Sequence, residues 1–538
     1  MAVAFTVPES RCKVFNCLWI PAFAGMTSKE HKRYQIDNAF SSFFTMSNYT
    51  KFCLYILSLS VALCSSGMFS LEAAEGSRTY YVSASTGNDK NPGTKENPWK
   101  SLAKISEMTF NAGDTICLKC GDTFEGCVTL NGSGTAESPI TLAAYGNGNR
   151  PFLKGPDDDE SACVTIPASS QGWRIIGVEI GHARKGIKIV SREKNRYFYF
   201  DDLYIHDINN KKWKENWDMK NWIYWGHAIS LTGGGSVEDL TIKNCLFKGN
   251  DCDFDAIDGF TDQGVGFRNI LIDGCTFTAG LYNSVYQWSG VGKTGTRFSI
   301  TNCMFYKNGA GDMPYGTTSI LTGFMTGERD SSIVSDNEFA SQRDSHGNDG
   351  CAYDFESSAG GITFRNNFIH DCFGESILFM PGVNGNVINR DNVLIENNLF
   401  VKNCTGSKLH RSEIDFILKE GHTGDITIRN NRFIRLPDIG MIAPVPECVI
   451  HENNTDTTDP LVETPEYVFD AAKKTVTLSC TDSSAVLYFT TDGSVPTRKS
   501  ERYSGQEIPV TKTMVVNCKA FRDGSLPSRT CCALVSPR

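Results

Sequence analysis

Two acidic residues lie two positions apart at the end of a short alternating segment. Ala352-Tyr-Asp-Phe355 reads as a β-strand, because apolar and polar residues alternate with a period of two. Alternation places Asp354 and Glu356 on one side of that strand, roughly 6.6–7 Å apart. Inverting glycosidases use paired carboxyls near this spacing, one as acid and one to activate water. The spacing predicts catalysis by Asp354 and Glu356, and the alternative is a solvated strand end with ordinary surface acids.

Similar strands recur on both sides of this one. Six of their residues are taken as facing the interior: Ile257, Val285, Ile320, Tyr353, Ile377 and Ile414. Their successors then form one outward column: Asp258, Tyr286, Leu321, Asp354, Leu378 and Asp415. Asp415 would lie two strands from Asp354, about 9–10 Å away, and is a third catalytic candidate. Tyr286 and Trp288 are predicted to be exposed aromatics that bind substrate, since outward apolar residues need a loop or a ligand to cover them.

Two further segments carry candidate substrate contacts. An insert at 209–225 is rich in aromatic residues, among them Trp213 and Trp217, which either stack on sugar rings or form an apolar flap over the body. The loop before Asp354 adds His346 and Asp349 at the rim of the predicted site.

Alternating acids precede the first strand of the column. Asp251, Asp253, Asp255 and Asp258 offer carboxylate oxygens of the kind that calcium prefers. The spacing is not that of an EF-hand, because Ala256 stands where the loop glycine is required. Calcium is therefore a possible ligand here, the alternative is a polar corner, and no other cofactor is indicated.

All of these strands belong to a pattern that recurs between Trp173 and Phe433: apolar, any, apolar, any, polar, special, any, apolar. Clear copies are Ile362–Ile369, Val393–Phe400 and Ile426–Phe433. A period of this size predicts a solenoid or a propeller. Since one unit cannot bury its own apolar side, the coils must stack.

The position two before each closing apolar residue predicts an interior ladder. In chain order it holds Val178, Leu203, Cys245, Cys275, Cys303, Asn337, Asn367, Asn398 and Asn431. Stacked amides can hydrogen-bond to one another and to corner backbone. The three cysteines are predicted to be small buried thiols rather than disulfides.

This pattern resembles the right-handed parallel β-helix superfamily with the pectate-lyase-like fold and its internal asparagine ladder. The resemblance covers about residues 80–450 and implies an all-β solenoid, but not one chemistry, because many activities share this scaffold. The entry segment before residue 155 is similar to that of many secreted carbohydrate-active β-helices, and residues 98–106 have the helical spacing of a cap over the first strand edges.

The two ends of the chain differ from the solenoid, which is assigned to residues 75–455. Residues 1–45 are a doubtful N-terminal extension, and 46–74 have the layout of a secretory signal peptide, with a 13-residue apolar core at 52–64 that is short for a membrane span. We therefore expect a secreted protein, extracellular or periplasmic or at the cell surface, with no membrane span after signal cleavage.

After a polar linker at 453–460 the strand pattern changes. The run from Tyr488 to Thr497 and the strand Val515–Phe521 resemble the small β-sandwich named after the C-terminal domain of chitobiase and β-hexosaminidase. The sandwich is assigned to residues 461–538, and the resemblance implies an accessory or spacer role beside a carbohydrate-active module.

The net charge of the chain bears on what kind of molecule it binds. The formal net charge of -9 argues against a nucleic-acid-binding surface. The leading hypothesis is a secreted glycoside hydrolase acting on a polysaccharide or other glycan. One alternative is a calcium-assisted polysaccharide lyase, since Arg411, Lys419 and His410 lie near Glu413 and Asp415. The other is a non-catalytic surface protein that only binds glycan.

Overall fold

The computed structural model describes residues 76–158, 160–209, 225–256, 265–289, 293–309, 317–344, 349–380, 388–406, 411–417 and 421–537. The doubtful extension and the predicted signal peptide lie outside these ranges.

The described chain is an all-β, right-handed parallel β-helix followed by a small antiparallel sandwich, as the sequence predicted. Three long parallel sheets of 13, 12 and 11 strands run along the solenoid. Successive strands of one coil enter sheets 1, 2 and 3 in turn, so that residues about 30 positions apart become neighbours.

Sheet 1 consists of β1 (Thr79–Val82), β3 (Thr115–Lys119), β7 (Ile140–Tyr145), β10 (Trp173–Ile176), β13 (Lys194–Asp201), β16 (Ser236–Lys243), β19 (Gly266–Asp273), β22 (Gly295–Thr301), β25 (Ser332–Ser335), β28 (Ile362–Arg365), β31 (Ile388–Glu396), β34 (His422–Arg429) and β37 (Val449–Glu452). Sheet 2 consists of β4 (Thr123–Glu125), β8 (Phe152–Lys154), β11 (Glu179–Ala183), β14 (Tyr204–Ile208), β17 (Leu246–Lys248), β20 (Thr276–Thr278), β23 (Met304–Tyr306), β26 (Glu338–Ala340), β29 (Phe368–His370), β32 (Leu399–Val401), β35 (Arg432–Ile434) and β38 (Thr455–Asp456). Sheet 3 consists of β5 (Val128–Thr129), β9 (Ala162–Ile166), β12 (Lys185–Val190), β15 (His227–Thr232), β18 (Cys252–Asp255), β21 (Val285–Trp288), β24 (Thr318–Gly323), β27 (Cys351–Phe355), β30 (Ile377–Phe379), β33 (Ser412–Phe416) and β36 (Gly440–Ile442).

A short helix, α1 (Leu102–Ser106), covers the first coils, where strands β2 (Thr109–Phe110) and β6 (Asn131–Gly132) also pair. Ser101 caps α1 by accepting a hydrogen bond from the Lys104 backbone N–H. Leu102 and Ile105 point into the solenoid core, which confirms the predicted helical cap. Within the described residues, no helix is both long and apolar enough to span a membrane.

The predicted interior ladder is present. The Asn367 amide oxygen accepts hydrogen bonds from the Asn337 backbone and side-chain amides, both at 3.0 Å. The same pairing joins Asn367 to Asn398 and Asn398 to Asn431. Asn454 extends the stack by one more coil. The residue before each ladder asparagine adopts a left-handed conformation (for example φ 56° at Asn366), which turns the corner and points the next side chain inward.

The cysteines continue this ladder. The Cys245 and Cys275 backbone N–H groups donate to the next sulfur along the stack, at 3.5 and 3.4 Å, and the Cys303 N–H donates to Asn337. All sixteen cysteines in the described part of the chain are free thiols, and these three are buried, as predicted.

A second ladder lies at the corner between sheets 2 and 3. It occupies the position three after each closing apolar residue, where Asn250, Asn308 and Asn403 accept hydrogen bonds from the coil before them, at 2.9–3.0 Å. The sequence carried this signal, since these asparagines follow Phe247, Phe305 and Phe400 at equal spacing.

The C-terminal sandwich has two antiparallel sheets. One contains β39 (Glu466–Asp470), β40 (Thr475–Ser479) and β43 (Ile508–Pro509); the other contains β41 (Val486–Thr490), β42 (Glu501–Arg502), β44 (Met514–Phe521) and β45 (Cys531–Val535). The outer face of β44 packs on sheet 2, where Val515 contacts Tyr204 and Leu246. Residues 76–538 thus form one compact unit.

A buried ionic network fixes this docking. Glu338 of β26 is fully buried, and its carboxylate accepts hydrogen bonds from Lys519 Nζ at 2.6 Å and from the Thr530 backbone N–H and hydroxyl, both at 2.7 Å. The His370 ring lies 3.1 Å from Glu338, and Arg529 pairs with Asp371. Although burial opposes ionisation, the charge of Lys519 and the hydrogen bond with His370 hold the pKa of Glu338 well below its usual value.

Candidate active site

The outward column on sheet 3 forms largely as predicted. Val285, Ile320, Tyr353, Ile377 and Ile414 are paired in this order and face the core. Their successors from Tyr286 to Asp415 therefore stack on the outer face of the sheet. The first member was predicted wrongly, because Phe254 and not Ile257 pairs with Val285. The column position belongs to Asp255, and Asp258 lies outside the described residues.

The column is buried, which corrects the expectation of an exposed face. Tyr286 and Trp288 are only 1% and 6% exposed, and they pack with Trp225, Tyr282 and Leu321 in an apolar cluster outside the solenoid core. Asp354 is 2% exposed. This part of sheet 3 therefore provides a low-dielectric environment for any charge placed on it.

Asp354 and Glu356 form a carboxyl pair. Their side chains are hydrogen-bonded to each other, so one proton must be shared between them. Burial, and then the charges of Glu356 and Asp349, raise the pKa of Asp354 well above its ordinary value. Burial also raises the pKa of Glu356, although the hydrogen bond with Asp354 and the charge of Arg390 oppose this rise. Such a pair titrates as a unit and keeps a proton at a pH where isolated carboxyls have lost theirs.

The 6.6–7 Å predicted from the strand rise is the spacing of the two residues along the backbone, and it does not set the separation of their carboxyl groups. Glu356 directly follows Phe355, the last residue of β27, and its backbone N–H still donates to the Thr322 carbonyl oxygen at 3.1 Å. The hydrogen bond between the two side chains brings the carboxyl groups closer together than an inverting glycosidase requires for its water.

A third acid, Asp349, completes this group. It lies just before β27, it is half-buried, and its backbone N–H donates to Asp344 at 2.8 Å. Its charge acts on Asp354 and, together with that of Glu356, on Tyr282, whose pKa is raised mainly by burial. Of the three acids, Asp349 and Glu356 are accessible to solvent, whereas Asp354 lies behind them.

Arg390 of β31, which sequence reasoning missed, is a cation whose charge acts on both acids of the pair. Its guanidinium is fully buried and donates to the Phe355 and Met380 carbonyl oxygens at 2.6 and 2.7 Å. It also lies 2.6 Å from His422 Nδ1. Burial lowers the pKa of Arg390 to about 10, against the charge of Asp354. Nothing in the local sequence distinguishes Arg390, because the contact joins different sheets.

The remaining acids of sheet 3 have separate positions. Asp415 is buried two strands from Asp354, about 9.6 Å by strand spacing. Glu413 binds Ser376 Oγ at 2.5 Å and the Asn403 side chain at 2.9 Å, which gives it a structural role at the second ladder. Of the residues considered for a lyase, Arg411 is exposed, and His410 and Lys419 lie outside the described residues.

The predicted calcium ligands do not converge. Asp251 accepts a hydrogen bond from the Gly226 N–H, Asp253 from the Asn250 side chain, and Asp255 lies 2.7 Å from His227 Nδ1. Burial raises the pKa of Asp253 to about 7. These three carboxylates have different partners, and among the described residues they are not part of a group of three ligand atoms close enough to hold one ion. The predicted contacts Trp213, Trp217 and His346 lie outside the described residues.

Comparison with known proteins supports the fold and the sandwich. Residues 455–531 match the family described as the chitobiase/beta-hexosaminidase C-terminal domain. A lacto-N-biosidase of Bifidobacterium longum is 42% identical over 74 residues, which cover 13% of this chain and 5% of that protein. The uncharacterized protein YwoF of Bacillus subtilis is 40% identical over 75 residues, 14% of this chain and 16% of that protein. The chain thus spans only a small part of either relative.

A solved structure matches the larger part of the chain. The GH136 lacto-N-biosidase from Eubacterium ramulus superposes with a TM-score of 0.54 at 18% identity, covering 70% of this chain and 68% of that one. At this identity the likeness establishes a shared parallel β-helix fold, to which this chain adds a sandwich of the chitobiase C-terminal type.

Proposed function

We propose that this protein is a glycoside hydrolase that cleaves a glycan on the outer face of sheet 3. The observation that carries the proposal is the buried, hydrogen-bonded pair Asp354–Glu356 with its raised pKa values. A carboxyl that stays protonated near neutral pH can protonate a glycosidic oxygen. The shared fold with a lacto-N-biosidase and the sandwich named after chitobiase agree with this reaction class by analogy.

The accessible acids take the two catalytic roles. Glu356 is the half-buried member of the pair, so it is placed to pass the shared proton to the leaving oxygen. Asp354 lies behind Glu356 and acts through it as a positioning residue. Asp349, the other half-buried acid, accepts a proton from the water that attacks the anomeric carbon, while the bond from that carbon to the protonated leaving oxygen breaks.

Two further groups surround these acids. The buried Arg390 offsets only part of the negative charge of the three acids. Asp415, two strands away, is too far from the pair to share the proton, and we place it at a neighbouring sugar. The apolar cluster around Trp288 excludes water from one side of the pair.

The proposal is tested by variants assayed on a panel of oligosaccharides and polysaccharides that includes a lacto-N-biose glycoside. Glu356→Gln and Asp349→Asn should each lower kcat by about 10²–10⁴-fold. Glu328→Gln, at an exposed acid outside the site, is the control and should keep full activity. New reducing ends without ultraviolet-absorbing products are expected. Full activity in both site variants, or unsaturated products that absorb in the ultraviolet, would overturn the assignment.

A further inference from the structure

Sheet 2 contains the same arrangement of a glutamate, a histidine and an aspartate twice. Tyr204-Ile-His-Asp207 and Phe368-Ile-His-Asp371 occupy equivalent positions in two distant coils. In each, the histidine lies between a buried glutamate of the preceding coil and the aspartate that follows it. His206 lies 3.2 Å from Glu179 and 2.7 Å from Asp207, and His370 lies 3.1 Å from Glu338 and 2.7 Å from Asp371. Both aspartates adopt left-handed backbone conformations, with φ of 53° and 55°.

The two copies differ in what completes them. At the C-terminal copy, Arg529 of the sandwich donates to both oxygens of Asp371, at 2.6 and 2.9 Å. At the N-terminal copy Asp207 is exposed. The residue three positions after the glutamate also differs: it is Ser341 in the C-terminal copy and His182 in the N-terminal copy. Both adopt a left-handed backbone conformation. His182 therefore adds a second imidazole to the copy that the sandwich cation does not cover.

The side chains of the N-terminal copy meet the requirements of a metal site. One ligand atom each of His182, His206 and Asp207 lies within 4.8 Å of the other two, the only such group of three in the described part of the chain. The Glu179 carboxylate is hydrogen-bonded to Nε2 of His206 and fixes the ring orientation, so that Nδ1 is directed at Asp207. A carboxylate behind a histidine is the usual support for a metal-bound imidazole.

We propose that His182, His206 and Asp207 bind a divalent transition-metal ion. Two imidazoles and one carboxylate suit Zn²⁺, Ni²⁺ or Co²⁺ better than Ca²⁺ or Mg²⁺, which prefer oxygen ligands. The ion replaces the proton that His206 Nδ1 shares with Asp207, and water fills its remaining positions. It bridges two neighbouring coils of sheet 2 and takes the place that Arg529 has at Asp371.

The test titrates the chelator-treated full-length chain with Zn²⁺ and Co²⁺, with Ca²⁺ as a control ion. One equivalent of Zn²⁺ should bind, release protons and raise the melting temperature, while Ca²⁺ should not. His182→Ser, which copies the residue of the C-terminal arrangement, and Asp207→Asn should each abolish this equivalent. His451→Ala, which removes an exposed histidine of β37, is the control and should retain it.

Cobalt identifies the ligands. The electronic spectrum of the Co²⁺-loaded chain should lack thiolate-to-metal charge transfer, since the proposed ligands include no cysteine. Absence of binding, an equivalent that survives in His182→Ser, or a thiolate band would each overturn the proposal. None of these results depends on the hydrolase assignment.

Discussion

Glu338 and Asp354 are both buried carboxyls in neighbouring sheets of the same coil, yet their pKa values are shifted in opposite directions. Glu338 faces Lys519, His370 and Thr530, and its pKa is lowered against the effect of burial. Asp354 faces Glu356 and Asp349, and burial together with their charges raises its pKa. Burial alone therefore does not decide the state of a carboxyl; the sign of the neighbouring charges does.

This difference separates a structural acid from a chemical one. At Glu338 the neighbours satisfy the charge, and the result is a fixed contact between sandwich and solenoid. At Asp354 the neighbours are other acids, so the group holds a proton that it can release. A buried acid with uncompensated neighbours at an accessible edge is a candidate for chemistry.

The largest expected effect is on stability, at the compensated acid. Lys519→Met leaves Glu338 buried without its main counter-charge and should lower the free energy of unfolding by about 3–5 kcal/mol. Guanidinium-induced unfolding measures the change. The matched control is Lys512→Met, which removes a partly exposed ion pair with Asp202 at the same interface and should change stability by about 0–1 kcal/mol. Equal effects of the two substitutions would contradict the comparison.

A smaller effect is expected on catalysis, at the uncompensated acid. Asp354→Asn removes the partner that shares the proton of Glu356, so kcat should fall by about 10–100-fold. The alkaline limb of the pH–activity profile should also move to lower pH. A merely structural role of Asp354 would lower activity without moving this limb, and that result would count against the paired-acid interpretation.

The smallest effect is a difference in the pH dependence of stability. The raised pKa of Asp354 makes the folded state lose stability as the pH rises from about 4 towards that pKa, because the unfolded state ionises first. Asp354→Asn should therefore gain stability relative to the parent over this range, by about 1.4 kcal/mol for each pH unit that separates the raised pKa from the ordinary one.

The lowered pKa of Glu338 contributes stability above about pH 4.3 that is lost on acidification, so the deficit of Glu338→Gln should shrink below that pH. Both predictions are checked by measuring the melting temperatures of the two variants and the parent between about pH 3 and 8, a range that brackets the ordinary carboxyl pKa. If the differences from the parent changed with pH in the same way for both variants, the comparison would be refuted.

The sequence predicted the features that depend on spacing along one coil. Residue alternation placed Asp354 and Asp415 on one column, and the repeat located Asn337, Asn367, Asn398 and Asn431 in the interior. These predictions held because a solenoid converts a fixed sequence period into fixed neighbours.

The features that the sequence missed depend on contacts between elements. Arg390 reaches the acid pair from another sheet, and the burial of Tyr286 and Trp288 depends on what packs above them. The first strand of the column was predicted three residues too late, because Phe254 and Asp255 of β18 hold the positions that were assigned to Ile257 and Asp258. The docking of the sandwich was also missed, because the polar linker before it suggests a separate spacer.

That docking changes how the solenoid comes apart. Coils of a repeat protein normally touch only their neighbours, and a rod of this kind can fray from either end one coil at a time. Here Lys512 and Thr513 are tied to Asp202 and Arg150 near one end, while Arg529 is tied to Asp371 many coils later. The sandwich therefore links coils that do not contact each other. We expect the coils between these contacts to unfold together, or only after the sandwich has detached.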